Sequence, residues 1–142
     1  MSDTIDPRRN VRRWLVLSFL GLIASFAPPA IAGTQYCFEN DGLKLQQRIS
    51  FTIDGNKIEG TLESGGYEKT TSSETFDFTG TRSGQRLTIK FDGKPPYELP
   101  PGTEKIVWKL RKDVLEVPMF GKNYETNRSA AYTAKFERCK DN

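Results

Sequence analysis

The chain of 142 residues contains two cysteines and no histidine. Without an imidazole it lacks the usual general base, proton shuttle and zinc ligand together. Serines and threonines are numerous, but none has an identifiable activating partner in the sequence. Aspartates and glutamates fall on polar strand faces and turns, where solvation accounts for them, and no pair is marked as the acid and base of a sugar hydrolase. Cys37 and Cys139 lie 102 positions apart, far from the C-x-x-C spacing of a redox pair, so a structural disulfide is expected. Asn40-Asp41-Gly42 and Asp54-Gly55-Asn56 offer oxygen ligands, yet each fits a hairpin turn better and neither has the spacing of a calcium loop. The residues therefore point away from an enzyme, with no metal and no cofactor.

Binding is the chemistry left. The segment Gly93-Lys94-Pro95-Pro96-Tyr97-Glu98-Leu99-Pro100-Pro101-Gly102 is the most unusual in the chain. Two proline pairs stiffen it toward an extended form, with Tyr97 and Glu98 between them and Lys94 just ahead of the first. A stiff loop loses little entropy on docking, which makes Lys94, Tyr97 and Glu98 the candidate partner contacts. The competing role for Tyr97 is a lid packed down onto the fold. Met119–Arg128 joins the last two expected strands and is a second, blander candidate for the same end of the molecule. Asn127-Arg128-Ser129 matches the N-glycosylation triplet, which matters only in a eukaryotic secretory host.

These residues need a scaffold, and the apolar pattern supplies one. Leu43, Leu45, Ile49, Phe51 and Ile53 alternate with polar residues, interrupted only by Gln47. The same period of two returns at Ile58/Leu62, Phe76/Phe78, Leu87/Ile89/Phe91, Ile106/Trp108/Leu110, Leu115/Val117 and Tyr132/Ala134/Phe136. Turn signals stand between the runs. Eight strands are expected, at about 34–39, 43–54, 57–63, 74–81, 85–92, 105–111, 113–119 and 129–139. An even-numbered antiparallel meander brings its first and last strands side by side, which closes a small barrel; a β-sandwich is the alternative. By parity Cys37 and Cys139 both point to the outer wall where those two strands meet. The many large inward side chains favour a filled core over a ligand cavity.

Ahead of the strands stand Arg8, Arg9, Arg12 and Arg13, an apolar run of 14 residues from Trp14 to Ala27, and the small residues Ala30-Ile31-Ala32. This is the order of a cleavable secretion signal, with cleavage expected between Ala32 and Gly33. The run is shorter than the ~20 residues needed to cross a bilayer, so no membrane span is expected after cleavage. Residues 33–142 then form a single domain. Of the 21 basic and 18 acidic side chains, four and two lie in residues 1–32, leaving 17 against 16 in the domain. That near balance gives no reason to expect nucleic acid or an anionic membrane as partner.

The run Phe78-Thr79-Gly80-Thr81-Arg82-Ser83-Gly84-Gln85-Arg86-Leu87-Thr88-Ile89 resembles the small lipocalin-like barrels that many bacteria export. The opening Tyr36-Cys37-Phe38-Glu39-Asn40-Asp41-Gly42, with the loop Ser64-Gly65-Gly66-Tyr67, is similar to the periplasmic inhibitors of c-type lysozyme. Together these resemblances imply a periplasmic or secreted bacterial β-barrel that binds and does not catalyse. The expected partner is an extracytoplasmic protein met by the proline loop. A small apolar ligand in the barrel interior, or a passive envelope role, is the alternative. The domain is expected to be a monomer.

Overall fold

The computed structural model describes residues 32–41, 45–66, 72–123 and 126–140. The leader read from the sequence lies outside the described residues, except Ala32, which with Gly33 is exposed ahead of the first strand. Eight strands follow in chain order: β1 (Thr34–Asp41), β2 (Leu45–Asp54), β3 (Lys57–Gly66), β4 (Glu74–Ser83), β5 (Arg86–Phe91), β6 (Ile106–Leu110), β7 (Val114–Asn123) and β8 (Arg128–Arg138). Each pairs antiparallel with the next, and β1 pairs with β8, so the sheet is a closed barrel and not a sandwich. No helix occurs among the described residues.

The turns set the pairing. Gly55 and Gly84 have φ of 61° and 60°, the left-handed conformation that two-residue hairpins of the right twist require. These hairpins and the β6–β7 connection lie at one end of the barrel, where β1 also begins. The long connection 92–105 lies at the other end.

Inside, apolar residues from every strand form one cluster, with Phe38, Ile49, Leu62, Leu87, Trp108, Leu115, Val117 and Phe136 wholly buried. Large side chains of this kind are each worth about 1.5–3 kcal/mol when buried. Across neighbouring strands Tyr36, Phe51, Gly60, Phe78 and Phe91 form one row. Gly60 is the gap in that row. A Cβ there would lie 2.5 Å from Phe51 Cβ and 2.8 Å from Phe78 Cζ, so its absence lets the two rings meet at 6.4 Å. Trp108 packs edge-on against Phe78 at 5.0 Å and Phe91 at 6.1 Å. Among the described residues these side chains form one contiguous apolar core.

Cys37 and Cys139 are joined by a disulfide, with Cα atoms 5.4 Å apart. The closing seam they tie is short. Among the described residues β1 and β8 pair only at Phe38↔Arg138 and Glu39↔Glu137, beside the bond from Cys139 N–H to the Cys37 carbonyl. The ladder stops where two glutamates oppose each other, an unfavourable pairing, and Glu39 turns to Arg48 at 3.5 Å instead. The β7–β8 hairpin is longer than its sequence pattern suggests. Residues 120–123 continue β7, with pairs reaching Asn123↔Arg128, so most of the expected 119–128 loop is strand.

Candidate functional site

The site is built around a second interruption, between β6 and β7. These strands pair only at Lys109↔Glu116 and Leu110↔Leu115. In β7 the even-numbered residues point their backbone groups toward β6, as the bond from Arg111 N–H to the Val114 carbonyl shows. The next even residue is Pro118, which has no N–H to donate, so the ladder cannot continue past Glu116. Two residues further on, the Phe120 N–H donates to the Glu98 carbonyl at 2.8 Å. The proline loop thus takes the place that β6 leaves beside β7.

Tyr97 anchors the loop from within. Its ring packs edge-on against Phe91 at 6.0 Å, and its hydroxyl accepts a hydrogen bond from Trp108 Nε1–H at 2.9 Å. The bond satisfies the only polar side-chain atom of a wholly buried tryptophan. Burial pushes the phenol up to about 12, and the Trp108 bond, which acts in the opposite direction, offsets only part of this. A turn at the loop's far end is held by Thr103, whose N–H and hydroxyl both donate to the Pro100 carbonyl.

Between loop and strand runs a shallow, mostly apolar groove of about 540 Å³, lined by Lys94, Pro95, Pro96, Tyr97, Glu98, Leu99, Pro101 and Phe120. Lys94 and Glu98 are exposed and give it one positive and one negative rim group; Pro101 is exposed as well. All three candidate contacts named from the sequence line this groove, but with different roles. Lys94 and Glu98 offer side chains to solvent, whereas the Tyr97 hydroxyl is engaged internally and the ring acts as a lid. Sequence reasoning passed over Phe120 and Leu99 as groove walls, and Pro118 as the cause of the gap. Pro118 did carry a signal, because proline within a strand marks an unpaired edge.

Two further hollows lie on the barrel wall. One of about 520 Å³ runs along the outer face past Gln35, Ser50, Thr52, Glu59 and the disulfide; the other, about 270 Å³, opens where β1 and β8 part, between Glu39, Asn40, Lys135 and Glu137. Among the described residues no group of three histidine, cysteine or carboxylate side chains is placed to hold a metal ion, and no helix is long and apolar enough to cross a membrane. No protein-family model, curated protein or solved structure matches the chain.

Proposed function

We infer that the chain is an exported, non-catalytic binding protein of the bacterial envelope or exterior, and that it holds a protein partner against the groove of the proline loop in the manner of an inhibitor. The observation that carries this reading is the preorganisation of that groove. Its walls are prolines, a leucine and a phenylalanine, clamped by Phe120 N–H to Glu98 on one side and by Trp108 to Tyr97 on the other. A surface already held in shape spends little of its contact energy on ordering, and Lys94 and Glu98 supply orientation through charge. The contiguous apolar core of large side chains supports this over carriage of a small apolar ligand. Export is supported by the leader pattern and by a disulfide that an oxidising compartment would sustain.

The test is capture of extracytoplasmic proteins on the immobilised, oxidised chain, with c-type lysozyme added as the first probe. Wild type is compared with a Lys94→Glu, Pro101→Glu variant, both positions being exposed and outside the core. A partner retained by wild type and lost by the folded variant is the expected result. Equal retention by both would overturn the groove as the binding surface.

A further inference from the structure

Among the described residues, β8 has an open edge from Ser129 to Lys135. The Arg138 N–H donates to the Asp113 carbonyl on the β7 side, and the Cys139 N–H donates to the Cys37 carbonyl on the β1 side. Backbone groups alternate sides along a strand, so even-numbered residues of β8 face β7 and odd-numbered residues face away from it. Pairing with β1 ends at Glu137. Ser129, Ala131, Thr133 and Lys135 therefore direct their N–H and C=O groups to an edge where no strand pairs with them among the described residues. Natural edges are blunted by proline, bulges or inward charges. Lys135 puts one charge at the end of this edge, but Ser129 to Ala134 has no such device, and among them stands Tyr132, the one large hydrophobic residue exposed among those described, at 51%.

We propose that this edge is a homodimer interface, in which β8 pairs antiparallel with β8 of a second copy about a two-fold axis through Tyr132. The argument for a second copy is that the edge is complementary to itself. About Tyr132 the sequence is nearly symmetric: Ala131 answers Thr133, Ala130 answers Ala134, and Ser129 answers Lys135. A two-fold axis normal to the sheet keeps inner faces together, so residue positions on the two strands must sum to an even number. Centred on Tyr132, the register sets Ser129 opposite Lys135 and Ala131 opposite Thr133, each as a pair that exchanges both hydrogen bonds. Every open N–H and C=O from Ser129 to Lys135 is then satisfied. Tyr132 stands opposite its own copy in a closely spaced pair, while its ring lies over Gly121 and its hydroxyl donates to Met119 Sδ at 3.6 Å, so the backbone ladder carries the contact. No charged residue stands opposite another, because Arg128 faces Phe136 and Lys135 faces Ser129. The near-neutral balance of residues 33–142 adds no overall repulsion. The contact is isologous, so it closes at two copies and leaves both proline-loop grooves on the far side of the hairpin.

Sedimentation equilibrium of the oxidised chain as exported, over a range of concentrations, tests this with three variants. Ala131→Lys places a charge on the edge, and Thr133→Pro removes an edge donor without touching the β7 ladder. Thr88→Lys makes an equivalent exposed change on β5, which is paired on both sides. The expected result is a monomer–dimer equilibrium, weakened at least about tenfold by Ala131→Lys and by Thr133→Pro and unchanged by Thr88→Lys. Amide exchange at Ala131 and Thr133 should slow as concentration rises, while that at Ala130 and Tyr132 stays constant. A monomer at every concentration overturns the proposal. So does a dimer that survives both edge variants, or assembly that grows past two copies.

Discussion

Single atoms decide two features of this barrel. At Gly60 the missing Cβ is what allows Phe51 and Phe78 to share one layer. Gly60→Val should overpack that layer and cost about 1–3 kcal/mol, read as a lower midpoint in urea with an unchanged slope. A neutral result would mean that the aromatic row relaxes without loss. At Tyr97 the phenol titrates near 12 in the folded chain and near 10 when unfolded. Between those values the unfolded state has released a proton that the native state keeps, so this group's stabilisation is complete below pH 10 and lost as pH rises through 12. Tyr97→Phe removes both that linkage and the acceptor for Trp108 Nε1–H. The stability difference between wild type and Tyr97→Phe should therefore be larger at pH 9 than at pH 11. A difference that grew with pH would contradict a buried, neutral phenol.

At the scale of elements, the proline loop and β7 behave as a substituted strand pair. Pro118 ends one ladder, and Phe120 reopens it to a loop in place of a strand. Phe120 and Lys122 face the same way along β7, yet only the Phe120 N–H has a partner among the described residues. Hydrogen exchange at Phe120 should be slower than at Lys122 by about tenfold, the worth of one net hydrogen bond. Equal rates would show that the loop is not clamped. The eight strands were legible because their apolar residues alternate and turn-forming residues separate most of them. The length of the β7–β8 hairpin was not, since Gly121, Lys122 and Asn123 carry no apolar alternation and are strand only because residues 128–130 pair with them.

The molecule as a whole is closed by little pairing and one covalent bond. Among the described residues β1 and β8 share two paired positions, and the disulfide lies beside them. Closing a loop of 102 residues is worth about 4–5 kcal/mol in the chain-entropy view. Replacing both cysteines by serine should lower stability by roughly that amount, measured by urea unfolding against the oxidised wild type. A loss under about 1 kcal/mol would mean that the short ladder alone holds the seam. Groove and open edge lie on opposite sides of the same hairpin, so the partner reading and the dimer reading can fail separately.

By itself the amino-acid order determined the strand count, the antiparallel meander and the pairing of Cys37 with Cys139, and its large inward residues favoured a packed interior over a cavity. Each of these follows from local alternation, turn chemistry or parity, which are properties of neighbouring residues. It also singled out Lys94, Tyr97 and Glu98, because proline pairs are visible wherever they stand. Only the tertiary structure decided that Tyr97 turns inward to Trp108, that Phe120 and Leu99 complete the groove, and that among the described residues β8 keeps an open edge. Those outcomes depend on where two ladders stop, and a ladder stops according to which residues of distant strands meet across it.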